Sequence, residues 1–587
     1  MSEILSNNFV PLMFGGLIVF LLAGFPVAFS LAATGLFFGL IGMEIGLFPA
    51  NLFQALPLRV FGIMQNDTLL AIPFFTLMGI ILERSRMAED LLETVGQVFG
   101  PLRGGVGIAV VLVGALLAAT TGVVAASVIS MGLIAMPIML RYGYNRAIAT
   151  GTITASGTLA QALPPSLVLI VLADQLGRSV GDMYSGALIP GLMLVSLYLL
   201  FIVAVAIVRP KWVPALPPEA RIYNQPNGSS GHRSLLILMA ISVGAALFWA
   251  QIHESVLNPW MGRSSPAPSD ETFILSFTIG TFVAFGLAVV NKVFRIGLLS
   301  RLTERVTFVL IPPLVLIFLV LGTIFLGIAT PTEGGAMGAI GAIVMAGVRR
   351  TLSFKLLQQA LENSTKLAIF VMFILIGSTV FSFTFNAADG HIWVEHLFDK
   401  LPGGQLGFLL FVNLLVFVLG FFIDFFEIAF IVIPLLVPVA QKLDVNLIWF
   451  GVLIAMNLQT SFLTPPFGFA LFYLRSVAAR NDYDDVVTGK RIKAVTTGQI
   501  YQGSIAFIAL QIIMVAVILF NPTLVTGSLS KPIVVDESSV RDMLLNMPGL
   551  DDPFGDDNDK PPSMEGFGPR RDAEEVDPAK ALEDALK

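Results

Sequence analysis

The chain has 587 residues, of which 34 are Lys or Arg and 40 are Asp or Glu, so 13% of it is charged while 56% is hydrophobic. A soluble domain carries about 25% charged residues, and a chain of this size with so few charges could not cover a water-exposed surface. The composition therefore excludes a set of soluble domains and predicts an all-α polytopic membrane protein.

The charge is unevenly distributed along the chain. Residues 531–587 contain 15 acidic and 7 basic residues, whereas the first 530 residues contain 25 and 27. The C-terminal segment is also rich in Pro, Gly and Asp, a composition typical of disorder. We therefore expect a nearly neutral body and an acidic disordered tail over 521–587. Cysteine is absent, which excludes disulfides, thiol catalysis and Cys-ligated metals.

Apolar runs near the length of a membrane-spanning helix recur along the chain. About twelve crossings are predicted, at 8–24, 25–43, 64–82, 147–173, 186–208, 234–252, 272–291, 306–328, 329–347, 367–387, 448–474 and 497–520. Two further segments, 105–140 and 405–441, are too long for one crossing and carry Gly and polar residues in the middle. They are predicted to be re-entrant hairpins, which a bilayer tolerates only where protein or water covers the tip.

Basic residues predict the orientation, because cytoplasmic loops are enriched in Lys and Arg. Every loop expected on one side is basic, namely 83–104, 141–146, 209–233, 292–305, 348–366 and 475–496. The opposite loops, such as 253–271 and 388–404, hold few basic residues. The basic loops are therefore predicted on the cytoplasmic side of a bacterial inner membrane, with both termini in the periplasm.

Matching prolines indicate an internal repeat. Pro137 recurs as Pro438, and the pair at 164–165 recurs at 465–466, each at an offset of 301 residues. The predicted units are 1–210 and 305–520, separated by 211–304, which holds a cytoplasmic loop and two extra helices. Each unit has five crossings and one hairpin. Because five is odd, the copies would have inverted topology, as in many secondary transporters.

In each unit the crossing after the hairpin, 147–173 or 448–474, is broken by two consecutive prolines. Proline lacks an N–H and clashes with the preceding turn, so backbone carbonyls are left unpaired where an unsatisfied group is costly. A sodium ion could satisfy them together with Ser and Thr hydroxyls. A simple proline kink would explain one break, whereas two matched breaks beside hairpins favour ion sites.

Two acidic residues lie at the predicted tip of the second hairpin. A carboxylate in mid-membrane is costly and indicates a functional site, so Asp424 is the best single candidate for a cation ligand. Glu427, one turn later, could instead be structural. The counterpart of Asp424 in the first unit is Val123, so the two ion sites would differ chemically. Glu333 lies at the start of a predicted helix and is expected to cap it.

Two other classes of function remain open. A channel or passive pore would need a continuous polar path, whereas the polar residues cluster at the two breaks. An intramembrane enzyme would need a nucleophile and a base, and no such pair is evident. The sequence contains no HExxH pattern, no phosphate-binding loop and no pattern typical of nucleic-acid binding. No catalytic residue and no organic cofactor are expected, and transport is favoured.

An ordered set of motifs resembles a known family. The motifs are Gly24-Phe-Pro26, Gly157-Thr-Leu159, Pro164-Pro-Ser166, Ala329-Thr-Pro-Thr-Glu333 and Thr464-Pro-Pro-Phe-Gly468. Over about 5–210 and 305–520 the chain resembles the large membrane subunit of TRAP (tripartite ATP-independent periplasmic) transporters. The resemblance implies an elevator-type, sodium-driven importer of organic acids with a fold like that of the ion transporter superfamily.

The resemblance also implies partners and site residues. The partners would be a small four-helix membrane subunit, a periplasmic substrate-binding protein and an organic anion. The segment 456–461 is similar to members linked to 2-oxo acids and related monocarboxylates. In the family, hairpin tips and broken helices carry the sodium and substrate sites, which here implies Thr120, Thr121, Gly122, Ser156, Gly157, Thr158, Gly420, Asp424, Thr460, Ser461 and Thr464. The first tip departs from the family's Ser-Gly-Ser-Ser-like pattern, and the insert and the tail are longer than usual.

Overall fold

The computed structural model describes residues 8–223, 231–262, 266–485 and 487–529. Within these ranges the chain is almost entirely helical, with one short pair of strands. The predicted all-α polytopic membrane fold is therefore confirmed. Most of the tail predicted over 521–587 lies outside the described residues, as does 224–230 of the predicted loop at 209–233.

Ten helices of the described chain precede the insert. They are α1 (Phe9–Leu22), α2 (Val27–Glu44), α3 (Leu56–Met64), α4 (Ala71–Arg84), α5 (Met87–Phe99), α6 (Gly105–Thr121), α7 (Val124–Arg141), α8 (Arg146–Thr158), α9 (Leu167–Gln175) and α10 (Val180–Val208). Single 3-10 turns lie at Leu52–Ala55, Asp67–Leu70, Leu159–Gln161 and Pro218–Ala220. The insert forms two helices, α11 (His232–Met261) and α12 (Ser269–Val293).

The second half begins after the insert. Its helices are α13 (Arg301–Phe325), α14 (Pro331–Val348), α15 (Phe354–Ala387), α16 (Gly390–Asp399), α17 (Gly404–Leu419), α18 (Phe425–Lys442), α19 (Leu447–Leu463), α20 (Phe469–Val477), α21 (Thr497–Phe520) and α22 (Thr523–Thr526). A π-helical turn at Ile428–Val432 interrupts α18. Strands β1 (Tyr483–Asp484) and β2 (Arg491–Ile492) pair antiparallel between α20 and α21.

The order of elements in the first half recurs in the second half. Each half has two helices, a long segment (α3 with α4, or α15) and a short helix (α5 or α16). These elements are followed by a helix pair (α6–α7 or α17–α18), a broken helix (α8–α9 or α19–α20) and a long helix (α10 or α21). The segments predicted as hairpins are thus the helix pairs α6–α7 and α17–α18, and each double proline lies in the gap of a broken helix.

The number of apolar spans is close to the prediction. Nine helices in the described ranges are long and apolar enough to cross a membrane, and up to eleven if the bent pairs α3–α4 and α16–α17 are each counted as one span. The sequence predicted about twelve. The two counts cover different helices. The nine omit α1, which has only 14 residues, α14 and both broken crossings, and they count α4 only within a bent pair, whereas they include α7 and α18 of the predicted hairpins.

Two segments predicted as loops contain helices. The predicted loop 83–104 contains α5, and the predicted loop 388–404 contains α16. Both helices are amphipathic, so that α5 buries Leu91 and Leu92 while exposing Glu89 and Glu93. A search for apolar runs misses such helices because half of their residues are polar. Each one leads directly into a helix pair. The capping role expected of Glu333 is confirmed, since Thr330 and Glu333 form a capping box on α14.

Helices from opposite halves pack closely through glycine. In the pair α2–α15, a Cβ on Gly35 would lie 2.6 Å from the carbonyl oxygen of Val380. Thr384 then donates a hydrogen bond from Oγ1 to the carbonyl oxygen of Gly35 at 2.8 Å. In the pair α8–α21, a Cβ on Gly151 would overlap the carbonyl group of Gly503. Small residues allow membrane helices to approach in this way.

One ion pair fastens the β1–β2 segment to the end of α7. The guanidinium of Arg141 donates to both carboxylate oxygens of Asp485 at 2.9–3.0 Å, and Thr488 donates its N–H to the same carboxylate at 2.9 Å. The hydrogen bonds from Arg141 lower the pKa of Asp485 to about 2. This contact joins the first hairpin to the segment that follows the second broken helix.

The two insert helices are joined by buried polar contacts. His253 Nε2 lies 3.0 Å from Glu271 Oε1, and both side chains are buried. Ser242 donates from Oγ to the carbonyl oxygen of Gly280 at 2.7 Å. Because α11 and α12 share these bonds, the insert forms a hydrogen-bonded pair rather than two independent helices.

Candidate functional site

The first hairpin ends in a tight turn that packs on the first break. Gly122 follows α6 with φ +61°, and its N–H donates to the carbonyl oxygen of Ala118 at 3.1 Å. A Cβ on Gly122 would lie 3.2 Å from the backbone nitrogen of Leu167, the first residue of α9. The left-handed conformation and this close approach both favour glycine. The tip is therefore held against the second half of the broken helix.

Two further contacts hold α8 against the hairpin. A Cβ on Gly114 of α6 would lie 2.8 Å from the hydroxyl oxygen of Ser156. On the other arm, a Cβ on Gly157 would lie 3.1 Å from the backbone nitrogen of Val128 in α7. Ser156 and Gly157 thus lie against the two arms of the first hairpin, whereas Gly122 at its tip lies against α9.

The hydroxyl groups of the first half are used within their own helices. Thr120 Oγ1 donates to the carbonyl oxygen of Leu117 at 2.8 Å, Ser156 Oγ to that of Ile153 at 3.1 Å, and Thr158 Oγ1 to that of Ala155 at 2.9 Å. Every residue from 148 to 173 is also buried. The side chain of Thr121 lies outside the described atoms, although its backbone ends α6. The first break is thus buried, and these hydroxyl groups already have hydrogen-bond partners.

The second hairpin has a longer tip. Between α17 and α18 the chain makes a five-residue turn that begins at Gly420, where a Cβ would lie 2.8 Å from the hydroxyl oxygen of Ser461 in α19. The ring of Phe422 is 64% exposed and lies 5.2 Å from the ring of Phe467 in the break. Pro466 is exposed as well. The second break therefore reaches the protein surface, unlike the first.

Asp424 and Glu427 form the start of α18. Asp424 accepts the N–H of Phe425 at 2.8 Å, and Glu427 accepts the N–H of Asp424 at 3.1 Å in a capping box. Capping boxes satisfy backbone donors that a helix leaves free at its N-terminus. The structure thus gives both acidic residues a local structural contact. The role of Asp424 as a cation ligand stays a prediction.

Two hydroxyl groups of the second broken helix are buried without a partner. Thr460 and Ser461 are at most 1% exposed, and neither Thr460 Oγ1 nor Ser461 Oγ has a hydrogen-bond partner among the described residues. Thr464 differs, because its Oγ1 donates to the carbonyl oxygen of Thr460 at 2.7 Å. Buried polar groups are almost always paired, so an unpaired one needs an explanation such as a missing ion.

A buried polar network connects the two broken helices. Gln511, in the middle of α21, donates from Nε2 to Tyr198 Oη at 2.8 Å, to Gln459 Oε1 at 3.4 Å and to Thr158 Oγ1 at 3.5 Å. Thr158 and Gln459 correspond to each other at the repeat offset of 301 residues. Tyr198 belongs to α10, so that one amide of α21 touches three other helices, drawn from both halves.

The sequence analysis missed this network and one further contact. Asn457 of α19 donates from Nδ2 to the carbonyl oxygen of Asn413 in α17 at 2.6 Å. Both Gln511 and Asn413 are isolated polar residues within apolar helices, which is itself a signal of function or of helix pairing in membranes. Neither residue lies beside a proline break, and a prediction based on the breaks therefore does not include them.

Comparison with known proteins identifies the fold family to which these elements belong. The family model for the "Tripartite ATP-independent periplasmic transporter, DctM component" matches residues 14–524. The chain belongs to this family. The resemblance to the large membrane subunit of TRAP transporters is thereby confirmed. The family consists of transporter permease subunits, not enzymes.

Two relatives agree with this assignment. The TRAP permease is 27% identical over 441 residues to the C4-dicarboxylate TRAP transporter large permease protein DctM of Pseudomonas aeruginosa, which covers 75% of this chain and 84% of that protein. It is 24% identical over 459 residues to the sialic acid TRAP transporter large permease protein SiaM of Vibrio cholerae, covering 78% and 87%. The crystal structure of the Alcanivorax borkumensis YdaH transporter matches with a TM-score of 0.47 and 14% identity, covering 82% and 90%.

Proposed function

We propose that this TRAP permease imports an organic acid and that inward movement of sodium drives the import. The single observation that carries the proposal is the pair of unpartnered hydroxyl oxygens at Thr460 and Ser461, buried beside a proline break. Sodium is a hard cation that suits an all-oxygen site made of hydroxyls and unwound backbone carbonyls. A bound ion would supply the partner that these oxygens lack.

The contrast between the two breaks supports a division of roles. Hydroxyls that donate to a carbonyl of their own helix, as at Ser156 and Thr158, have no O–H left to donate but keep their oxygen lone pairs. They can still accept from or coordinate a cation while donating to the carbonyl. Thr460 and Ser461 can in addition donate to a carboxylate. The second break therefore suits the organic anion as well as sodium.

Asp424 remains the proposed charged participant. Its Oδ1 is used for the cap of α18, and a carboxylate has further lone pairs available. A negative charge at this position would favour a cation bound beside the tip. Thr120, Gly122 and Gly420 lie at the two tips and Gly157 lies in α8. Together with the other predicted site residues they would form two chemically different ion sites.

We also propose that the two halves are inverted repeats that carry the ligands by an elevator-type movement. Support comes from the duplicated order of elements and from the matched helix breaks. Inverted repeats with broken helices place ligands near mid-membrane, where one part of the protein moves against the other. The glycine-lined pairs α2–α15 and α8–α21 would then be rigid units on either side of the sliding surface.

The names of the relatives suggest the partners and the substrate class. The Pseudomonas aeruginosa protein is named for C4-dicarboxylates and the Vibrio cholerae protein for sialic acid, both of which are carboxylates. We therefore propose a carboxylate substrate, including a 2-oxo acid among the candidates. It would be delivered by a periplasmic binding protein, with a small four-helix membrane subunit alongside, in a bacterial inner membrane with both termini periplasmic.

The proposal is tested by reconstituting the full chain in lipid vesicles with a small TRAP membrane subunit and a periplasmic binding protein from the same organism. Uptake of radiolabelled succinate, sialic acid and pyruvate is measured with and without an inward sodium gradient. At least one of them should accumulate only when both the gradient and the binding protein are present. Accumulation that is undiminished when choline replaces sodium would contradict sodium coupling.

A further inference from the structure

A polar cleft lies at the turn between α7 and α8, and none of the predicted ligand residues lines it. It has a volume of about 340 Å³ and lies where the α7–α8 turn, the segment after α10 and the start of α21 meet. The lining residues on which the argument rests are Asn145, Arg146, Lys211, Trp212, Gln499 and Gln502. All three segments adjoin loops that the basic residues predict to be cytoplasmic.

Backbone contacts hold the three segments together. Asn145 donates its N–H to the carbonyl oxygen of Trp212 at 2.8 Å. Thr150 Oγ1 lies within hydrogen-bond distance of the carbonyl oxygen of Gln499, at 3.3 Å. The guanidinium of Arg209 lies 5.4 Å from the centre of the Trp212 ring and fixes that side chain from the other side. The cleft is therefore a built feature of the fold.

The charge within the cleft is one-sided. Arg146 and Lys211 are its two charged residues, and no acidic residue lines it within the described chain. Neither cation forms an ion pair with any residue that the structure describes. The Nε atom of Arg146 is buried and has no hydrogen-bond partner there either. An anion bound in the cleft could accept this N–H.

The position of Arg146 in its helix strengthens this requirement. Arg146 is the first residue of α8, and the N-terminus of a helix carries a partial positive charge that disfavours a neighbouring cation. Asn145 already caps the backbone N–H groups of Ala147 and Ile148. The cap is neutral and leaves the positive charge uncompensated. An anion between Arg146 and Lys211 would relieve both effects.

The surroundings of the cleft favour a lipid over a free ion. Trp212 is 42% exposed, and tryptophan is enriched where a membrane protein crosses from hydrocarbon to water. On the adjoining helix α10, Leu200, Val203 and Ile207 are exposed at spacings of three and four residues, which places them on one apolar face. This face offers a path for an acyl chain that leads towards the cleft.

We propose that the cleft binds the phosphate group of an anionic phospholipid. Arg146 supplies a planar donor fork that suits phosphate, Lys211 supplies a second positive charge, and the amides of Gln499 and Gln502 can donate to the remaining oxygens. The acyl chains then lie along α10. Basic pockets between membrane helices on the cytoplasmic side bind anionic headgroups in this way. The proposal does not depend on sodium coupling or on the identity of the transported acid.

The test uses the purified, delipidated full chain in detergent, with bound lipid counted by native mass spectrometry. The probe is phosphatidylglycerol, compared with phosphatidylcholine, whose phosphate is offset by its own cation, and with inorganic phosphate as competitor. Phosphatidylglycerol should bind the wild type at one site more tightly than phosphatidylcholine. Replacing both cations, as Arg146→Gln with Lys211→Gln, should weaken that site about 30-fold, or roughly fivefold for each charge.

Two matched variants make the outcome decisive. Lys211→Gln alone changes an exposed side chain, which keeps folding intact, and should weaken binding roughly fivefold. Lys490→Gln removes an exposed cation outside the cleft and should leave binding unchanged. Equal phosphatidylglycerol binding by the wild type and the double variant would overturn the proposal. So would binding of inorganic phosphate without any preference for phosphatidylglycerol, because the site would then serve a free anion.

Discussion

The two broken helices have the same order of elements but differ in burial and in the hydrogen bonds of their hydroxyl groups. The first lies in a stretch that is buried from 148 to 173, and its hydroxyls donate to carbonyls of the same helix. The second reaches the surface at Pro466 and Phe467 and keeps two buried hydroxyls unpaired. The same order of elements is thus buried and internally hydrogen-bonded in one half, whereas in the other half it reaches the surface and has unpaired hydroxyls.

The hairpin tips show the same difference. The first is a tight neutral turn with Gly122 in a left-handed conformation. The second is longer, begins at Gly420 and ends in the carboxylate cap of Asp424 and Glu427. A longer turn has more ways to move, and an acidic tip can respond to a cation. We therefore expect a bound cation to affect the second tip more than the first.

The largest expected effect comes from removing one hydroxyl of the second broken helix. Ser461→Ala should lower the apparent affinity for sodium or substrate roughly 10- to 100-fold, because it removes a buried hydrogen bond to a charged ligand. Ser156→Ala, the matched control, should change it far less, since that hydroxyl is already bonded to Ile153. Initial uptake rates over a range of sodium and substrate concentrations give both values. Equal losses in the two variants would remove the proposed difference between the breaks.

The second prediction separates charge from capping at Asp424. Asn is as good an N-cap as Asp, so Asp424→Asn should keep the fold and raise the sodium concentration for half-maximal uptake about tenfold. Asp424→Ala should show the same change and also lose about 1 kcal/mol of stability with the cap. Sodium activation and thermal unfolding in detergent are measured on both. Normal sodium activation in Asp424→Asn would restrict Asp424 to its capping role.

The third prediction concerns the network that joins the halves. Gln511→Leu should reduce the free energy of unfolding by about 1–2 kcal/mol, because Tyr198 and Gln459 lose a buried partner. Tyr198→Phe and the double variant complete a double-mutant cycle. A coupling energy indistinguishable from zero would mean that the hydrogen bond at 2.8 Å does not link the halves energetically.

The smallest effect is expected at the ion pair between Asp485 and Arg141. The pKa of Asp485 is lowered to about 2, below the value of about 3.9 in an unfolded chain. The pair therefore stabilises the folded state above about pH 4, and this contribution is lost as the pH falls through about 2. Melting curves between these pH values should show a steeper loss for the wild type than for Asp485→Asn. Asp484→Asn, a matched control that changes the exposed neighbouring residue, should behave like the wild type.

Much of the fold could be predicted from the sequence because its signals are local. Apolar runs gave the long helices, and the two proline pairs gave the gaps after α8 and α19. The amphipathic helices α5 and α16 lie in segments predicted as loops, because their polar residues interrupt the apolar runs on which the prediction rests. The end of α11 was also missed, because His253 and Glu254 look like a loop until His253 is seen to pair with Glu271.

The candidate site was less predictable because it depends on packing. The sequence ranks Asp424 first, since a charge within an apolar segment is visible by inspection. It cannot show that Ser156 is satisfied and Ser461 is not, because both are serines beside a proline break. That difference depends on where carbonyl groups and neighbouring helices lie. Gln511 was passed over for the same reason, although an amide in the centre of an apolar helix could have drawn attention.

The contact between Gly151 and Gly503 has a consequence for ion selection. It brings the backbones of α8 and α21 together, since a Cβ on either glycine would overlap a backbone carbonyl of the other helix, and Gln511 of α21 in turn touches both broken helices. A spacing set by main chains cannot adjust by changing a rotamer. We therefore expect the space between the breaks to have nearly constant dimensions, so that ions are distinguished by radius. Lithium or potassium would then fit poorly even where charge and ligand type are suitable.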